Sequence, residues 1–225
     1  MADISHIKEL AKKLNLSNIA KGKVSLNGKY RNHLDYIEDV FLQELSFRKK
    51  SRIHQNRIDS RLPNMKFDKK YIIDGVKWQI NKIKKLEFID TNSNIIITGD
   101  CGVGKTSLAA EICLKALEQD KKVIYYTQDE YIKIVKEYMK TEKESAYYKK
   151  LKNADIIVID EFLYLNINQS DLTILYKSLM FFNETHSTIF ISNRKVDKFL
   201  EASDDTHLMK TLVERINNNS HLIVL

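Results

Sequence analysis

The chain has 225 residues, 43% hydrophobic and 30% charged, with a formal net charge of +7 at neutral pH. That balance is ordinary for a soluble globular protein and points to neither a disordered chain nor a membrane protein. No run approaches the roughly eighteen apolar residues needed for a membrane span, and Asp3, Lys8 and Glu9 interrupt the start where a signal peptide needs an unbroken apolar stretch. Cys101 and Cys113 show no pairing pattern and the six histidines are scattered, so a cysteine–histidine metal cage is not expected and a reducing, cytoplasmic setting is. The positive charge is concentrated in residues 1–90 while the remainder is close to neutral, an asymmetry suited to a polyanion but shared by many solvated lysine-rich surfaces.

In chain order, Ile7, Leu10 and Leu14 predict a short helix, followed by a turn-rich connection containing Gly22 and Gly28. From Asn32 to Arg61 one long helix or two are expected, because Leu34, Ile37, Phe41 and Leu45 recur at spacings that share one face. The second half of that segment is basic (Arg48, Lys49, Lys50, Arg52, Arg57, Arg61) and stops at Pro63, which disfavours helix at Leu62. A boundary therefore falls near residues 62–70, dividing a helical basic domain, 1–66, from a second domain, 67–225. A further amphipathic helix is expected from Asp74 to Phe88, burying Val76, Ile80, Ile83 and Leu86.

Beyond Asp90 short apolar runs alternate with helical stretches, the pattern of a parallel sheet covered on both faces. The predicted strands are Asn94 to Thr98, Val123 to Thr127, Asp155 to Asp160, Thr188 to Ser192 and His221 to Leu225. Helices are expected at 105–119, 129–151 with a break, 169–185 and 206–217.

Three strand ends carry chemistry. Gly99-Asp100-Cys101-Gly102-Val103-Gly104-Lys105-Thr106 satisfies the phosphate-loop pattern, with Ser107 following it. Its glycines allow successive N–H groups to face phosphate oxygens, Lys105 reaches the β and γ phosphates of ATP, and the Thr106 hydroxyl ligates Mg²⁺. Ile156 to Ile159 lead into Asp160, a second Mg²⁺ holder, and Glu161, which is suited to polarise the attacking water. Thr188 to Ser192 lead into Asn193 and Arg194; strand ends in a parallel sheet converge on the ligand crevice, so Asn193 either orients the water, bonds a γ-phosphate oxygen or is a simple turn residue.

These segments (the phosphate loop, IIVIDE at 156–161, STIFISNR at 187–194 and TLVERI at 211–216) resemble the AAA+ ATPases of the IstB and DnaC group. That group includes transposition helper proteins of bacterial insertion sequences and loaders of the replicative helicase. The upstream stretch LQELSFRKKSRIHQNRIDSRLPNMKF, residues 42–67, is similar to the IstB-type amino-terminal region, so the likeness runs from about residue 31 to the end. It implies an α/β AAA+ core, a five-stranded parallel sheet in the order 5-1-4-3-2, nucleotide held between subunits of a homo-oligomer, and a small helical amino-terminal domain.

The resemblance also implies that Asn193 senses the γ-phosphate and that Arg215 projects into a neighbouring subunit's ATP. The expected activity is ATP-dependent assembly on duplex DNA through the basic amino-terminal region, assisting a partner transposase; the alternative is loading of a replicative helicase. The loop departs from relatives at Cys101, Val103 and Ser107. With Leu225 ending the fifth strand, no carboxyl-terminal helical lid is expected.

Overall fold

The computed structural model describes residues 4–24, 32–65, 67–68 and 74–225. Gly28 and residues 71–73 lie outside them, as does the side chain of Val76. The chain forms two compact units, Met1–Gln55 and Asn56–Leu225.

In the first unit, α1 (Ile4–Lys13), the single turn α2 (Ser17–Ala20) and the start of α3 (His33–Asp59) enclose a small core of Ala11, Ile19 and Val24, against which Val40 and Phe47 pack. Asn32 caps α3, its side-chain oxygen accepting from the N–H groups of Leu34 at 2.8 Å and Asp35 at 2.9 Å. Leu34, Ile37, Phe41 and Leu45 do lie within one helix, yet all four are exposed, whereas Glu44 is buried. The Glu44 carboxylate accepts from the N–H groups of Asn18 and Ile19, both at 3.0 Å, and from Arg48 Nε at 2.9 Å. The hydrogen bonds to Glu44, together with Val40 and Phe47 on the same helical face, therefore place this stretch of α3 against α2.

The second unit is a five-stranded parallel sheet in the order β2-β3-β4-β1-β5, formed by β1 (Asn94–Thr98), β2 (Val123–Thr127), β3 (Ile156–Asp160), β4 (Ser187–Ser192) and β5 (Ser220–Val224). This is the expected order, read from the opposite edge. The residues of β1, β3 and β4 are buried throughout, because helices cover both faces. Ile95, Ile97, Val158 and Ile191 face α4 (Asp74–Ile83) and α6 (Lys105–Glu118). Ile96, Ile157, Ile159 and Phe190 face α7 (Gln128–Thr141), α8 (Ala146–Lys152), α9 (Gln169–Phe182) and α10 (Thr206–Asn217). A 3₁₀ segment, Val196–Ala202, lies between β4 and α10.

Two local departures from the sequence expectation have physical causes. The helix predicted from Asp74 to Phe88 ends at Ile83; Leu86 takes a left-handed φ of 68°, and a separate turn, α5 (Glu87–Asp90), follows. That break lets Leu86, Phe88 and Ile89 all enter the core, which one straight helix could not do. The chain also joins the sheet domain ahead of Pro63: the Tyr125 N–H on edge strand β2 donates to the Ser60 carbonyl at 2.8 Å, and Leu62 is buried in the sheet core. An otherwise open edge is thereby covered.

Candidate nucleotide-binding site

The loop after β1 turns sharply into α6. Gly99 sits at φ 149°, and a Cβ there would collide with the Leu225 carbonyl oxygen, whose own N–H pairs with the Thr98 carbonyl at 2.9 Å. Gly104 takes φ 92° as the residue preceding α6, a conformation open to glycine at little cost, so the first turn of α6 opens directly onto the loop. Lys105 is buried and its Nζ donates to the Asp100 carbonyl at 2.6 Å. Burial lowers its pKa, while the nearby Cys101, Asp160 and Asp100 favour the charged form. Ser107 turns outward, its hydroxyl 3.8 Å from the Met65 sulfur. Cys101 is an exposed, free thiol on the same loop.

Asp160, only 8% exposed, ends β3 and meets this loop: the Thr106 hydroxyl donates to its Oδ2 at 2.9 Å. The two residues expected to hold a metal are thus in direct contact across 54 positions of sequence. The Tyr125 hydroxyl also donates to Oδ2, at 2.5 Å, and the Glu161 N–H donates to Oδ1 at 2.7 Å. Burial and the neighbouring Asp160 raise the Tyr125 phenol's pKa far above its ordinary value, which keeps it a donor.

Glu161 is exposed and held at a left-handed φ of 58°. Directly after it the Phe162 N–H donates to the Ile191 carbonyl at 2.8 Å, and the Leu163 N–H donates to the buried Gln128 side chain at 2.8 Å. Such backbone strain in a non-glycine residue, fixed on both sides, is a recurring feature of functional sites.

Asn193 follows the last residue of β4, and Ser192 there is in register with Thr98, so Asn193 sits at the carboxyl edge of the sheet next to the phosphate loop. Arg194 folds back onto the loop after β3, donating to the Tyr164 carbonyl and the Asn166 side chain, both at 3.3 Å. Arg215 is elsewhere. It is exposed in the last turn of α10 and shares a hollow with Asn94, Asn183 and Asn219 at the amino-terminal end of β1, so the length of the strand separates it from its own phosphate loop.

Tyr125 and Gln128 escaped sequence reasoning. The available signal was a hydroxyl two residues before Thr127, which pairs with Asp160; using it requires knowing that β2 lies beside β3.

Insertion of β4 between β1, which carries the phosphate loop, and β3, which carries the second acid, defines a P-loop ATP-binding protein of the AAA+ class. From residue 9 to residue 225 the chain matches the family described as IstB-like ATP binding protein, and it belongs to that family. An ATP-binding protein of an IS21-like insertion sequence from Bacteroides fragilis is 25% identical, over 96% of this chain and 86% of its own. The corresponding protein of insertion sequence IS21 from Pseudomonas aeruginosa is 24% identical, over 84% of this chain and 73% of its own. Among solved structures, the DnaC helicase loader superposes with a TM-score of 0.58 at 17% identity, covering 74% of this chain and 96% of that one. AMPPCP-bound DnaA from Aquifex aeolicus gives 0.54 at 20%, covering 73% and 51%. These two share the fold. No helix among the described residues is long and apolar enough to cross a membrane.

Proposed function

We propose that this protein is a Mg²⁺-dependent ATPase that assembles on duplex DNA and assists a partner transposase, with each active site completed by a neighbouring subunit. The observation that carries the reading is the contact between Thr106 and Asp160, which joins the phosphate loop to the second acid. Family membership and the insertion-sequence relatives support the transposition role.

The donor set fits Mg²⁺. Thr106 and Asp160 offer a hydroxyl and a carboxylate, hard oxygens, and no group of three or more His, Cys, Asp or Glu that could hold a metal is found among the described residues. Mg²⁺ is commonly bound by one or two protein oxygens together with substrate phosphates. When bound, it neutralises charge on the β and γ phosphates.

The chain's own groups supply the remainder. Lys105 exchanges the Asp100 carbonyl for phosphate oxygens, and the loop N–H groups and the α6 amino terminus hold the phosphates. Glu161 orients the attacking water and accepts its proton, while Asn193, at the end of β4, contacts the γ-phosphate. Arg215, a strand's length from its own loop, serves a neighbouring subunit's nucleotide. The sheet unit, with Ser60 and Leu62 leading into it, forms the nucleotide domain, and the basic helical stretch within residues 1–66 contacts DNA phosphates, giving sequence-independent affinity.

The test is ATPase activity against protein concentration, with and without duplex DNA at low and high salt. Turnover per subunit should rise with concentration and with DNA, and the DNA effect should fade as salt rises. Activity indifferent to both would overturn the shared-site reading. Affinity capture with a transposase and with a replicative helicase decides the partner, and helicase alone being retained would replace the transposase assignment.

A further inference from the structure

Asp160 has more hydrogen-bond donors than the phosphate loop supplies. Its Oδ2 accepts from both Thr106 and Tyr125, at 2.9 and 2.5 Å, and its Oδ1 accepts from the Glu161 N–H at 2.7 Å. A carboxylate oxygen has two good acceptor positions, so Oδ2 is saturated while Oδ1 keeps one. Tyr125 is itself anchored: its backbone pairs in register with Val158 on β3 and its N–H donates to the Ser60 carbonyl at 2.8 Å. Its ring packs against the core beside α6.

We infer that Tyr125 is a positioning residue for the metal-binding carboxylate: by occupying Oδ2 together with Thr106, its hydroxyl fixes the rotamer of Asp160 and reserves the remaining Oδ1 position for the metal's hydration shell. The role rests on the Mg²⁺–ATP reading above. Hydrogen-bond partners that orient a metal-binding carboxylate typically change metal affinity by 10- to 100-fold when removed. Tyr125 contributes through Asp160 alone and leaves metal-free nucleotide binding to the loop and Lys105.

The experiment titrates a fluorescent ATP analogue into the full-length protein in EDTA, then measures the Mg²⁺ concentration giving half of the metal-dependent gain in affinity. Tyr125→Phe keeps the ring and removes only the hydroxyl. It should leave the EDTA affinity within about twofold and raise the half-maximal Mg²⁺ concentration roughly 10- to 100-fold. Placing 3-fluorotyrosine at position 125, which retains the donor, should restore the parent's response. In an Asp160→Asn background Tyr125→Phe should add nothing, because a residue acting through Asp160 has lost its target. An unchanged Mg²⁺ response, equal losses with and without metal, or an additive effect in the Asp160→Asn background overturns the inference alone. A parent protein whose nucleotide affinity ignores Mg²⁺ overturns the underlying site reading, and the inference with it.

Discussion

Replacing Glu161 by Gln isolates the hydrolytic step from everything that holds the site together. Glu161 is exposed, and what fixes it is backbone: its N–H donates to Asp160 Oδ1 at 2.7 Å, its carbonyl accepts from the Tyr164 N–H at 3.2 Å, and its φ is 58°. Glutamine has the same size and the same backbone preferences, so all of these contacts survive. An exposed substitution of this kind changes stability by less than about 0.5 kcal/mol, which in a chain of this length moves the melting temperature by about 1–2 °C.

The side chain's ability to take a proton does not survive. Loss of a general base costs roughly 10²- to 10⁴-fold in rate, or about 2.7–5.5 kcal/mol of barrier. Single-turnover hydrolysis of labelled ATP under saturating protein should show that loss, while titration with a fluorescent ATP analogue shows affinity within about threefold of the parent. Lys105→Ala provides the contrasting arm, because it removes a phosphate contact and should weaken binding itself. Turnover by Glu161→Gln close to that of the parent would move the catalytic role to another residue, and a loss of affinity equal to the loss of rate would make Glu161 structural.

Two further outcomes are expected. Arg215→Ala should leave nucleotide affinity unchanged but lower turnover by on the order of 10³-fold, as loss of an arginine finger does. Mixing it with Lys105→Ala should recover part of the activity, since one of the two kinds of mixed interface pairs an intact loop with an intact arginine; absence of recovery at any ratio would place Arg215 outside the site.

Glu44→Ala should destabilise the first unit by about 2–4 kcal/mol, because the Asn18 and Ile19 N–H groups lose their buried acceptor. Hydrogen exchange over α2 would measure it, and unchanged protection there would refute the assignment. Burial by itself would raise the Glu44 pKa, but hydrogen bonds from Arg48, Ile19 and Asn18, with the Arg48 charge, hold it below the ordinary carboxylate range. A depressed folded-state pKa stabilises fully above the unfolded value and loses that contribution as pH falls through the folded one. Protection of α2 should therefore fade on acidification below the usual glutamate pKa, and the Ala variant should lack that step.

The sheet domain was legible because its signals are local. A buried parallel strand must be apolar along its whole length, so the runs at Ile95 to Ile97 and Ile156 to Ile159 announced themselves, and glycine spacing between Gly99 and Gly104 marked the turn that those φ values require. The strand order came from resemblance, since periodicity says nothing about which strands are neighbours. The first unit was less legible for a related reason: an apolar stripe reports what a helix is able to bury, yet Leu34, Ile37, Phe41 and Leu45 are exposed while the charged Glu44 is buried among hydrogen-bond donors.

The chain's sequence by itself determined the phosphate loop, the acidic pair at Asp160 and Glu161, and the placement of Asn193 at a strand end, because each depends on residues adjacent in the chain. Tertiary structure alone decided that Thr106 and Tyr125 share one oxygen of Asp160 and that Arg215 stands a strand's length from its own loop. Hydrogen bonds act over about 3 Å, whereas these partners lie tens of residues apart in sequence, and only the register of β2 beside β3 and the course of α10 set those distances.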